Sequence, residues 1–369
     1  MPNLTVANNN ELKSRQISFL FLAFLPLVKF FTLPKSTTQI AGEDMWLSVL
    51  ICIFFDLATI ISLLGANKKF GTDLYTVLEF NLGKIITKII YLIYFIYFLS
   101  KAFTPIYEQY NFLQISLYEP APTSLKYFPF LILAIYLCTL KPRAIGRLSD
   151  ILWIITILSV TMLLSLAIND IDFGAILPIG ANSVKIFKAS RYILNWFTDA
   201  SYLLFLLGTF TIEPHGKTKI ILGFIGYAVI TVLFCIVFYS VFKSIAGREL
   251  FAVAEISKYS NVLNSIGRFD YMAIFALLIP HTVAIILPLY FATKILCDVF
   301  PIKYKAIYST ITCLLIYAPI VWLNPYVTVI AEFIHTKLTI FTFILGNLFP
   351  ALLILFKSPK EKKYEVYAR

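Results

Sequence analysis

Five ionisable residues interrupt otherwise apolar stretches of this 369-residue chain: Lys29, Asp56, Lys101, Glu108 and Asp199. A charge at mid-bilayer costs roughly 2.5–3.5 kcal/mol on insertion scales, so such residues persist where they meet a partner, a ligand or a watery cavity. Lys29 stands in Ile17–Ala41, ISFLFLAFLPLVKFFTLPKSTTQIA, between Pro26 and Pro34 and ahead of the polar run Lys35–Gln39. A proline removes a backbone hydrogen bond and clashes one turn back. The stretch is therefore predicted to be a broken helix, with Pro26, Lys29 and Thr32 lining a substrate or ion site. The competing reading is a kinked helix whose lysine snorkels outward. The run Asn195-Trp196-Phe197-Thr198-Asp199 sits in the middle of 187–211 as Lys29 sits in the middle of its own stretch. A central cation and a central anion satisfy each other when buried. Trp196, Phe197, Thr198 and Asp199 therefore join the candidate site, against the alternative of a purely structural ion pair. Glu108, His281 and Asp56 are candidates for proton-linked roles. Their bland readings are a solvated interface residue for Glu108, a hydrogen-bonded histidine in a helix kinked by Pro280, and an aspartate satisfied by a polar neighbour or a water.

The elements that must carry these residues follow from composition. The chain is 59% hydrophobic and 14% charged, with a mean hydropathy of +0.83, against about 25% charged residues in soluble domains. It reads as an all-α integral membrane protein forming a single transmembrane domain. Ten apolar spans are predicted, at 17–41, 46–66, 84–112, 124–140, 149–168, 187–211, 219–243, 270–294, 304–323 and 338–356. With the N-terminus inside, nineteen Lys and Arg fall in cytoplasmic segments and ten outside. This asymmetry places both termini, residues 1–16 and 357–369, in the cytoplasm. Spans one to five (17–168) and six to ten (187–356) have similar lengths. Five is odd, so the second half enters from the opposite face, the condition for an inverted repeat whose first helices are discontinuous and meet at the site. The symmetry lies in hydropathy, not in letters. Gly71–Gly83 is predicted to hold a short amphipathic helix, packed on the bundle or lying on lipid, and Phe251–Ile266 shows similar spacing. Asn169–Asn182 reads as an exposed loop.

Other function classes find little support. The net charge of +11 is read as loop lysine and arginine facing the cytoplasm, not as a nucleic-acid surface. The five cysteines are scattered and form no Cys-x-x-Cys pair, so free thiols are expected. His215, His281 and His335 show no metal-ligand spacing. No phosphate-binding glycine loop or nucleophile elbow is present. No enzyme activity, cofactor or metal is expected.

The segment Leu33–Leu50, LPKSTTQIAGEDMWLSVL, has a proline after the first span and an Ala-Gly-Glu-Asp run opening the second. It resembles the spore germination protein family, and Ser14–Gln16 and Pro142–Ile151, PRAIGRLSDI, agree with it. The resemblance implies the membrane B subunit of a germinant receptor, within the amino acid–polyamine–organocation transporter superfamily and its LeuT-like inverted repeat. It also implies a small-molecule ligand of amino-acid type at the junction of spans one and six, contact with membrane lipid, and other receptor subunits as partners. A stand-alone proton-coupled amino-acid transporter is the alternative. Where related transporters carry glycines at the first break, this chain has Pro26 and Lys29. Either Lys29 binds an anionic ligand group, or its ammonium stands where a coupling cation would sit and pairs with Asp199.

Overall fold

A computed structural model of the chain describes residues 12–116, 123–210, 212–258, 270–301, 303–323 and 326–359. Among these, structure is helical apart from one parallel bridge between Leu12 and Phe210. Six segments are long and apolar enough to cross a membrane: Leu33–Phe70, Lys84–Leu113, Pro142–Leu166, Gly216–Ile245, Ile274–Val299 and Lys305–Trp322. A seventh candidate is the pair Val327–Thr336 and Thr339–Leu355, bent by 59°. The segment predicted at 338–356 is thus the second limb of a bent element.

The opening stretch is broken. Helix α1 spans Ser14–Phe24, a 3₁₀ turn covers Leu27–Lys29, and α2 spans Leu33–Ala41. Pro26 has no N–H to continue the ladder, and its carbonyl instead accepts the Lys29 N–H at 2.9 Å. Pro34 lies in the first turn of α2, where a missing N–H costs nothing. Gly42, at φ +61°, ends α2, and Asp44 then accepts the Gly180 N–H at 2.7 Å. Helix α3 follows (Met45–Phe70), then α4 (Leu74–Leu82), α5 (Lys84–Ser116), α6 (Thr123–Thr139) and α7 (Pro142–Leu166). Helix α4 is capped by Asp73 and buries Leu74, Val77 and Leu78 against the bundle beside α5, which settles packing over lipid contact.

The 169–182 connection carries two 3₁₀ turns, Ile168–Asp170 and Phe173–Ile176. A second interrupted stretch comes next: α8 (Ser183–Ile193), a 3₁₀ turn (Leu194–Trp196) and α9 (Ala200–Leu206). The chain then forms α10 (Gly216–Phe242), α11 (Ala252–Lys258), α12 (Asp270–Val299), α13 (Lys305–Trp322) and α14 (Val327–Thr336). It ends with α15 (Thr339–Phe343), a π-helical turn (Ile344–Leu348) and α16 (Phe349–Leu352). Of the spacing noted at 251–266, α11 covers the first part and 259–266 lie outside the described residues, as does most of the basic tail.

Helix α1 packs between α7 and α10. Gly223 of α10 makes this approach possible, since a Cβ there would lie 2.2 Å from Ser18 Oγ. From α7, Ser149 and Thr156 donate to the carbonyls of Gln16 and Ala23, each at 3.0 Å. Past the first break, the Ala252 N–H donates to the Phe31 carbonyl at 3.0 Å. The Ala23 and Phe31 carbonyls on either side of the break thus find partners on neighbouring elements, as buried polar groups must.

Candidate binding site at two helix breaks

The two interrupted stretches meet. Lys29, 1% exposed, places its Nζ 2.5 Å from Asp199 Oδ2. Tyr227 of α10 lies 3.3 Å from the same oxygen. Lys101 of α5 takes the other oxygen, Nζ to Oδ1 at 3.1 Å, and donates to Thr198 Oγ1 at 2.9 Å. Asp56 of α3 accepts the backbone N–H of Asp199 at 3.1 Å. All four charged side chains are buried. The rings of Phe197 and Tyr227 stand 5.4 and 5.2 Å from Lys29 Nζ, and that of Tyr202 stands 5.1 Å from Lys101 Nζ. These distances allow the ring faces to stabilise each ammonium.

Local backbone explains why this aspartate is the hub. The second break frees the Asp199 N–H from any intrahelical acceptor, and Asp56 supplies one. Thr198 adopts φ +39°, a conformation that costs a β-branched residue on the order of 1–3 kcal/mol. Tyr97 holds it there, with Oη 2.9 Å from Thr198 Oγ1 and 3.0 Å from Ser201 Oγ. Two cations thus share one carboxylate, one per oxygen, and the second carboxylate holds the backbone. The Coulombic attraction of the two ammonium groups for this carboxylate offsets part of the cost of desolvating them.

A cavity borders the cluster, lined by Lys29, Lys101, Asp199, Asn195, Trp196 and His335 among others. Its volume of about 20 Å³ holds on the order of one water molecule. The His335 imidazole stacks on the Trp196 indole, with centroids 3.7 Å apart.

Of the residues singled out from the sequence, Lys29, Phe197, Thr198 and Asp199 converge with Asp56. Trp196 lines the cavity, and Pro26 sets the turn that carries Lys29. Thr32 does not reach the ion pair, and its hydroxyl donates to Glu108 instead. Glu108 is 4% exposed, so the interface reading fails for it: Thr32 leaves the helical path at the first break and satisfies the carboxylate inside the protein. His281 is not hydrogen-bonded through either ring nitrogen among the described residues, against the expected histidine bond. It stacks on Phe31 at 4.1 Å instead. Sequence reasoning missed Lys101, Tyr97, Tyr227 and His335 as members of the site. Lys101 carried a usable signal, a lysine inside an apolar span one helical turn after Tyr97. Among the described residues no group of three or more metal-ligating side chains forms a metal site. Chemically, the cluster can exchange partners: a ligand carboxylate competes for Lys29, and a ligand ammonium competes for Asp199.

The profile of a family described as spore germination protein matches residues 11–326, most of the chain. No curated protein matches it.

Proposed function

The chain belongs to the spore germination protein family, and from that premise we propose that it is the membrane subunit of a nutrient-germinant receptor. It binds a small nutrient of amino-acid type where the two broken stretches meet. Binding favours one arrangement of the helices, and other receptor subunits read that arrangement. The proposal includes ten spans in two inverted five-span halves, 17–168 and 187–356, in one transmembrane domain with both termini in the cytoplasm. It assigns no enzymatic step. The observation that carries it is the buried Lys29–Asp199–Lys101 cluster, which ties both breaks to α5 beside a small cavity. Intramembrane ionisable residues at broken helices are where such proteins hold their ligands.

The test is a thermal-shift screen of the purified full chain against the twenty common L-amino acids. At least one is expected to raise the melting temperature, and Lys29→Met is expected to abolish that rise while the protein still inserts. A full rise retained in Lys29→Met refutes the site.

One observation favours a second reading, a proton-coupled amino-acid transporter. Glu108 is buried and bonded to Thr32, with no lysine or arginine ion-paired to it among the described residues. A membrane-buried carboxyl without a cation suits a proton carrier. Uptake into proteoliposomes driven by an imposed pH gradient supports transport, and binding without uptake supports the receptor.

A further inference from the structure

The last bent element carries a feature that the proposed binding reading does not use. Its second limb, Thr339–Leu355, carries a π-helical turn at Ile344–Leu348 and closes on a 3₁₀ turn, Leu353–Leu355. Such turns are rare and displace carbonyls from the regular ladder. Here the Leu345 carbonyl has a partner on another helix, since Tyr94 of α5 donates to it at 2.7 Å, and Thr59 of α3 anchors the turn by donating to the Asn347 side-chain Oδ1 at 3.2 Å. At the centre of the turn is Gly346. A Cβ built on it would lie 2.3 Å from Thr198 Cβ, 2.5 Å from Thr198 Cγ2 and 3.0 Å from Tyr97 Oη.

These contacts fall on the residue that accepts from both Lys101 and Tyr97. Thr198 is stiff at χ1 because it is β-branched, and its backbone already sits at φ +39°. It therefore cannot give way without losing one of its bonds. We infer that Gly346 is a positioning residue of the lysine–aspartate site: the π-helical turn seats its bare backbone against Thr198 and thereby fixes where Lys101 meets Asp199. The inference rests on reading that cluster as the binding centre, but its test does not need the ligand.

A methyl group at Gly346 displaces Thr198 and removes the 2.9 Å acceptor of Lys101. Melting temperatures are compared for the full chain in detergent as wild type, Gly346→Ala, Lys101→Met and the double variant. Gly346→Ala is expected to lower the melting temperature by on the order of 5 °C. In the Lys101→Met background the decrease is expected to fall to less than about half, because the contact that Gly346 positions is gone. Equal decreases in both backgrounds would reduce Gly346 to a packing contact and overturn the inference. Should Gly346→Ala yield no folded protein, Gly346→Ala with Thr198→Gly decides. Glycine accepts the positive φ and removes both clashing atoms, so folded yield is expected to return, and continued failure to fold overturns the inference. An amino-acid screen with no thermal response defeats the binding reading and leaves the Gly346–Lys101 coupling standing.

Discussion

Asp199 holds two lysines while each lysine holds one aspartate, so the three single variants are predicted to differ in cost. In Lys29→Met the carboxylate keeps Lys101 at 3.1 Å and Tyr227 at 3.3 Å. What is lost is one hydrogen bond between charged groups, worth about 1.5–3 kcal/mol. Lys101→Met likewise leaves Lys29 2.5 Å from the other oxygen, and it also loses the bond to Thr198 at 2.9 Å, so it falls at the upper end of that range. In Asp199→Asn two buried ammonium groups lose their counter-charge together, at roughly 3–5 kcal/mol for each stranded charge. At about 2 °C per kcal/mol for a chain of this size, the lysine variants should each lose roughly 3–6 °C and Asp199→Asn more than roughly 10 °C. Thermal unfolding of detergent-purified protein, followed by tryptophan fluorescence, measures all three. If Asp199→Asn melts within about 2 °C of Lys29→Met, the shared-carboxylate account is refuted. The same geometry predicts that Lys29→Met with Asp199→Leu stays unstable, because Lys101 remains stranded. Adding Lys101→Met should recover stability without function.

Gly208 ends α9 at φ +74°, and a Cβ there would lie 2.4 Å from the Asp73 backbone nitrogen. Gly208→Ala should therefore cost about 2–5 kcal/mol from strain and overpacking together, read as a lower melting temperature. Outside the spans, Asp172 faces Lys243 at 2.9 Å and accepts the Gly174 N–H, and together these hold its carboxyl below the usual carboxylate range. A lowered folded-state value means that its contribution is present above the unfolded value and lost as pH falls through the folded one. The wild type should begin to lose its small margin over Asp172→Asn as the pH falls below the usual carboxylate range, and a margin that widens on acidification counts against this. Glu108→Gln keeps a partner for Thr32. On the transporter reading it should abolish uptake driven by a pH gradient, whereas the receptor reading expects the amino-acid thermal response to survive.

The first break was legible because proline writes it into the sequence: Pro26 cannot donate, whatever surrounds it. The second break has neither proline nor glycine inside it. Its conformation is imposed from outside, by Asp56 on the Asp199 N–H, by Tyr97 on Thr198 and by the bare backbone of Gly346. Those residues lie about a hundred to a hundred and fifty positions away, and no local pattern announces them. Lys29 and Asp199 stood out as lone charges in apolar runs. Lys101 stood out equally, but one anion already matched one cation, and nothing in the spacing said that the carboxylate serves two. Glu108 and His281 show the converse error. Their settings depend on Thr32 and Phe31, which the first break throws sideways off the helical path.

The cavity beside Asp199 admits little more than one water molecule, so the seat is already taken by the protein's own lysine ammonium. On the proposed reading, any nutrient must evict that occupant before it can sit down. Its measured dissociation constant is then the intrinsic one divided by the fraction of molecules in which the seat stands vacant; a vacancy of about one in a hundred weakens apparent binding roughly a hundredfold. Sensitivity would accordingly be set less by how well the nutrient fits than by how firmly Lys29 and Lys101 hold their shared aspartate. On the proposed reading, variants that loosen this grip while keeping Lys29, Lys101 and Asp199 in place would lower the concentration needed for a response.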